Sequence, residues 1–242
     1  MRLDKALASS GYGTRTEVKA LISKGLVSLN GNVIKDPGFK INDDQKDLIE
    51  VAGQSARIKD NIYLIINKPD GVLTAMEDKR LPHVGQFIPS NIINRKISPV
   101  GRLDFHTTGL LILTNDGELS HRLTSPSYGI SKVYEVIYDG PALTDEQAEE
   151  ASRGITLTDV DKPVKLHPAK LEIIDNNKAH LTLTEGKTHE VRRIFAHWNR
   201  PVTALKRLSV GTLTLDEDLA EGQIRELTEE EISGLKSITK LN

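Results

Sequence analysis

Apolar residues recur along this chain at two spacings, and the changes between them mark out the elements. Over residues 2–9, Leu3, Ala6 and Leu7 share one face of a short helix, which Gly11 and Gly13 break. Thr14, with Glu17 three residues on, is a capping-box signal, and Val18, Leu21 and Ile22 form the stripe of a second helix ended by Gly25. The spacing then changes. Leu26-Val27-Ser28-Leu29 and Asn32-Val33-Ile34 flank Asn30-Gly31, a pair that tolerates positive φ, so the segment predicts a hairpin, followed by a strand near Leu48–Val51. Gly53–Asp60 reads as a linker.

Beyond it, Tyr63-Leu64-Ile65-Ile66 predicts a buried strand, Asn67-Lys68-Pro69-Asp70-Gly71 a turn, and residues 75–99 a loop-rich stretch. Strands are expected at 109–114 and Lys132–Tyr138, as a pair over Leu166–Ile174 and His180–Thr184, and at Val210–Leu215. Helices are expected at Glu118–Leu123, Asp145–Ser152, Thr188–His197 and Thr228–Leu235. In the third of these, Val191, Ile194, Phe195 and Trp198 share a face. Strands outnumber helices and come in runs, so the pattern predicts an α+β fold with a mainly antiparallel sheet.

Composition narrows this picture in three ways. The absence of cysteine excludes disulfides, thiolate metal sites and a cysteine nucleophile, and fits a reducing cytosol. No apolar run is long enough to span a membrane, and the start carries no signal-peptide pattern. The net charge of −2 hides an asymmetry. Residues 1–41 hold Arg2, Lys5, Arg15, Lys19, Lys24, Lys35 and Lys40 against Asp4, Glu17 and Asp36, whereas residues 216–231 hold eight acids against Arg225 alone. A basic head suggests a polyanion-binding module joined to another domain.

The chemistry-bearing residues cluster in three places. Arg15, Lys19 and Lys24, in or just after the second helix, can neutralise phosphates, or form a solvated face. Asp104 stands in the loop Gly101-Arg102-Leu103-Asp104-Phe105-His106-Thr107-Thr108, where a carboxylate can be nucleophile, base, metal ligand or cap. Pairing it with Asp116 would suggest a metal-dependent RNA hydrolase, but Asp116 sits in an Asn-Asp-Gly turn with a local job to do. In Glu185-Gly186-Lys187-Thr188-His189-Glu190-Val191-Arg192-Arg193, two arginines stand near a helix start. They can hold a carboxylate ionised, bind phosphate, or snorkel, and His189 reads as a turn-stabilising group. Tyr134 is a strand residue that packs a core or, near an extruded base, stacks on it.

Arg2-Leu3-Asp4-Lys5, the Gly13–Glu17 turn, and the run from Ile22 to Gly31 closely resemble the S4 RNA-binding module. With that head, Asn67–Gly71, Gly101–Gly109 and Glu185–Arg193 stand in the order of an RNA pseudouridine synthase of the RsuA type, and the resemblance covers almost the whole chain. It implies an S4 domain at 1–53, a linker at 54–60, and a catalytic domain at 61–242 whose central sheet is mixed but mainly antiparallel, with Asp104 on the cleft floor. It implies cofactor-free isomerisation of uridine in ribosomal RNA after the base leaves the stack.

Under that resemblance Asp104 is catalytic, Tyr134 is the active-site tyrosine, and Arg192 pairs with the carboxylate. Arg102 helps hold the RNA open, and Arg2, Arg15, Lys19, Lys24, Lys187, Arg193, Lys206 and Arg207 contact phosphates. Ile194 stands where methionine is common, and Phe105-His106 fills a variable stretch. Gly109–Gly117, Ser120–Pro126, Lys162-Pro163 and Pro168-Ala169 look most like members acting on the 16S RNA of the small subunit, and the expected protein is a cytoplasmic monomer. The rival readings are a non-catalytic RNA-binding or ribosome-assembly protein and an enzyme for 23S RNA.

Overall fold

The computed structural model describes residues 1–56, 58, 61–89, 92, 96–159 and 162–241. The chain forms two compact units, residues 1–62 with 88–98 and residues 63–87 with 99–242.

The first unit is built from local signals. Helix Leu3–Ser9 precedes helix Arg15–Ser23, whose capping box is closed. The Glu17 N–H donates to Thr14 Oγ1 at 3.3 Å, and the Thr14 N–H donates to Glu17 Oε2 at 2.6 Å. Strands Val27–Leu29 and Asn32–Ile34 pair antiparallel across Asn30-Gly31, both at positive φ, as a tight hairpin turn requires. Strand Ile49–Val51 pairs with the other side of Val27–Leu29. The expected linker 54–60 begins differently: Gln54–Ser55 forms a further strand against Glu50 and Val51, and Ala56 and Ile58 are buried in the same core as Leu3, Leu7, Val18 and Ile22. Residues 57, 59 and 60 lie outside the described residues.

The second unit is organised by one mixed sheet. Its main path runs Lys170–Asp175, Lys178–Leu183, Lys132–Tyr138, Val202–Val210, Thr108–Thr114, Tyr63–Lys68, Ile224–Glu226. Every neighbouring pair on this path is antiparallel except Val202–Val210 with Thr108–Thr114, the parallel pair at the centre. The pattern predicted a strand only from Val210 on. The strand in fact covers Val202–Val210, followed by a short return at Leu213–Thr214. Ile224–Glu226 was likewise not expected.

Gly109 allows the central pair to form. Its φ is +98°, and a Cβ there would collide with the backbone of Arg207 on the facing strand. Tyr63–Lys68, on the other side of Thr108–Thr114, is buried at all six positions, as a strand covered on both faces must be.

Helix Glu190–His197 packs the apolar face the sequence predicted. Val191, Ile194, Phe195 and Trp198 join Tyr138, Leu181 and Leu205 in one core. The Phe195 ring centroid lies 5.4 Å from those of both Tyr138 and Trp198, and burying each such ring contributes about 1.5–3 kcal/mol. The helix starts at Glu190 rather than Thr188, because His189 takes a left-handed conformation with φ +52°. Asp116 has the local job expected of it: its Oδ1 accepts the Leu119 N–H at the start of helix Gly117–Thr124, and its Oδ2 accepts from the Tyr63 hydroxyl.

Candidate active site

The loop before the central strand Thr108–Thr114 is pinned through its backbone. Lys68, fully buried at the end of its strand, donates from Nζ to the carbonyls of Pro69 (3.0 Å), Phe105 (3.2 Å) and Thr107 (2.8 Å). That uses all three ammonium donors. Burial pushes this ammonium down to about 8, against the opposing pull of Asp70, Asp104 and Glu221.

Other groups complete the clamp. The Thr74 hydroxyl donates to the Leu103 carbonyl and accepts the Leu103 N–H. Gly71 N–H donates to Phe105 O, Thr107 N–H to Asp104 O, and the Arg192 guanidinium to His106 O at 2.7 Å and Val202 O at 3.2 Å. With the backbone of residues 103–107 held in this way, the Asp104 side chain is left about one-third exposed and facing open space.

Two cavities meet at Asp104. The larger, about 900 Å³, is open and lined by Asp70, Asp104, His106, Arg192, Arg193 and Leu205, among others. The smaller, about 80 Å³, is more polar and includes Arg102, Asp104, Thr107, Tyr134, His189 and Glu190. Thr107 Oγ1 is buried there without a hydrogen-bond partner. Among the described residues, the basic group within ion-pair distance of the Asp104 carboxylate is His189, whose Nε2 stands 3.7 Å from Oδ1 and forms an ion pair when protonated.

The structure thus brings Asp104, Tyr134, Arg102 and Arg192 to one place, with some expected roles changed. Arg192 lines the large cavity and gives two of its five donors to the His106 and Val202 carbonyls, so it positions the loop, and it does not form the expected pair with Asp104. Arg207 is 3% exposed, and its Nε donates to Leu110 O across the central strand pair; a side chain so enclosed is not a surface phosphate contact. Lys206, beside it, is half-buried.

Arg193 forms a two-pronged ion pair with Asp159, and Lys187 pairs with Glu185 at 2.7 Å. In the first unit, Arg2 and Arg15 both bond the fully buried Asp4, while Lys19 and Lys24 are exposed. Among the described residues no group of three or more His, Asp or Glu side chains is arranged to hold a metal ion.

Sequence reasoning missed Lys68, Thr74 and Glu190. For Lys68 a signal was present: a charge continuing a fully apolar strand is buried only when fully bonded. Thr74 carries no such signal, because its partner Leu103 comes from a distant segment, and Glu190 carries none because an acid at a helix start normally serves the helix dipole.

Comparison with known proteins gives the family and the fold. Residues 62–197 match the RNA pseudouridylate synthase family and residues 1–47 the S4 domain. The chain is 41% identical over 236 residues to an uncharacterized RNA pseudouridine synthase of Bacillus subtilis, spanning 96% of this chain and 97% of that protein. It is 37% identical to ribosomal small subunit pseudouridine synthase A of Haemophilus influenzae, spanning 97% of this chain and 99% of the other. A crystal structure of a pseudouridylate synthase superposes with a TM-score of 0.67 at 35% identity, covering 97% of this chain and 99% of that one.

Proposed function

The chain belongs to the RsuA-type RNA pseudouridine synthases that carry an S4 domain, and on that premise we propose that it isomerises one uridine of 16S ribosomal RNA. The supporting relatives include small-subunit synthases matched over nearly their full length. The observation that carries the reading is Asp104: a carboxylate on a fully clamped loop, standing where a nucleotide-sized cavity meets a polar pocket containing a tyrosine.

The uridine leaves its stack at a cost of a few kcal/mol and enters the cleft. The N1–C1′ bond breaks, the uracil turns, and C5 bonds to C1′. The C5 proton departs and N1 gains one, so nothing is consumed. Asp104 starts the reaction by attack at C1′, by attack at C6, or by assisting removal of the C2′ proton, and all three need the same ionised oxygen. Tyr134 stacks on the base and takes the C5 proton. Arg102 holds the RNA open, and Arg15, Lys19 and Lys24 of the first unit bind backbone phosphates. The protein works as a cytoplasmic monomer.

Carbodiimide mapping of pseudouridine in ribosomal RNA, from cells with and without this protein, tests the reading. One 16S position should lose its modification, and Asp104→Asn should fail to restore it, being at least about a thousandfold slower. Restoration by that variant ends the role of Asp104. A lost 23S position moves the target, and an unchanged map leaves an RNA-binding assembly protein.

A further inference from the structure

Glu190 lies 4% exposed at the first position of its helix and lines the small cavity beside Asp104. Its Oε2 accepts the Lys187 N–H at 2.7 Å. Its Oε1 is buried with no donor facing it. The group within its reach is another acid, Glu185, itself 6% exposed, whose oxygens accept the His167 N–H at 2.6 Å and the Lys187 ammonium at 2.7 Å. Two buried carboxylates that meet in this way repel unless one carries a proton. With a hydroxyl on Oε1, the orphaned acceptor becomes a donor and the contact becomes a hydrogen bond.

We propose that Glu190 keeps its proton and donates it to Glu185, and that this single-proton clasp is the positioning device that holds His189 against Asp104. The turn between the two acids is short. Its end, His189, stands in the left-handed region at φ +52°. The clasp and the Lys187 N–H bond close that turn from both sides. Loss of the proton sets two anions against each other and releases the turn, and with it the His189 ring that lines both cavities.

The surroundings favour the neutral acid. Burial, together with the nearby Glu185, pushes Glu190 up to about 7, against the Lys187 N–H and ammonium. The same burial acts on Glu185, but Lys187 and the His167 N–H outweigh it and hold that carboxyl below its ordinary range. The other charged groups facing Glu190 are Lys132 on the neighbouring strand, itself held down by burial and by Arg207, and Arg193 one turn along the helix, which Asp159 neutralises. Arg102, Asp104, Tyr134 and His189 face it across the cavity.

This inference rests on the proposed synthase activity, and the test separates the two. Single-turnover rates of pseudouridine formation on a uridine-containing RNA are measured across pH for the wild type and Glu190→Gln, whose amide donates to Glu185 at every pH. The wild-type rate should fall about tenfold per pH unit once the clasp loses its proton. Glu190→Gln should keep the plateau rate within a few-fold and begin its fall at least about one pH unit higher. Equal onset in both proteins overturns the clasp while leaving the synthase reading intact. Absence of pseudouridine at every pH overturns the synthase reading. Infrared spectroscopy of the wild-type protein gives a second readout, independent of activity and of variant folding. A protonated-carboxyl band should be present at mildly acid pH and bleach through neutrality, and its absence also overturns the clasp.

Discussion

In the first unit the buried charge is an acid. Asp4 has no exposed surface, and two half-exposed guanidinium groups, Arg2 and Arg15, converge on it. The hydrogen bond from Arg2 holds its carboxyl below the ordinary range. In the second unit the buried charge is a base. Lys68 has no exposed surface, and what converges on it is the backbone of the loop that presents Asp104. Burying either ion costs several kcal/mol unless its hydrogen bonds are complete.

The partners make the difference. Asp4 organises long side chains that water can also satisfy, so the unit presents adjustable cations suited to a phosphate backbone. Lys68 organises main-chain carbonyls, one of them shared with the Gly71 N–H, so the loop has one geometry. The proposed phosphate-binding surface tolerates play, and the carboxylate proposed to react does not.

Lys68→Met should sharpen this contrast most. It takes the ammonium from three carbonyls and leaves only Phe105 O with another donor, so we expect a loss of about 3–5 kcal/mol in denaturant unfolding, with a rate at least about a hundredfold lower in single turnover. The wild type should also gain stability as pH rises from about 8 toward the ordinary lysine range, because there the unfolded chain holds the proton that the folded one has released. The variant should lack that slope, and native activity in Lys68→Met would break the comparison.

Next in size is the paired change Gly109→Ala and Gly31→Ala. Both glycines sit at positive φ, but a Cβ at 109 meets the Arg207 backbone, whereas at 31 it meets nothing within 4 Å. The first should cost about 3 kcal/mol or more in thermal or denaturant unfolding and the second about 1 kcal/mol. Equal costs would mean that the central strands separate easily.

The smallest effect is expected in the first unit. Arg15→Ala with Lys19→Ala should cost at most about 1 kcal/mol in unfolding, since Arg2 still bonds Asp4, and reduce the salt slope of RNA binding by about 1–2, read by titration at several salt concentrations. An unchanged slope would remove these cations from the phosphate interface.

The same contrast governs what could be read in advance. The first unit was legible because its instructions are local: Thr14 with Glu17 for a helix start, Asn30-Gly31 for a hairpin. At the site, Asp104 and Tyr134 were legible as residues, while the groups that position them were not. Lys68, Thr74 and the Val202–Val210 strand act through partners far along the chain. The strand was hidden by Lys206-Arg207 in its middle, a pair that reads as surface until Arg207 is seen buried against the Leu110 carbonyl. Glu190 was hidden because an acid at a helix start normally serves the helix dipole.

The parallel pairing of Thr108–Thr114 with Val202–Val210 also bears on how the enzyme is made. The apolar core of the first unit comes from one contiguous stretch, residues 3–58. The midline of the sheet must wait for a strand synthesised almost a hundred residues after its partner. The core of the first unit can therefore form before the central sheet closes on residues 202–210.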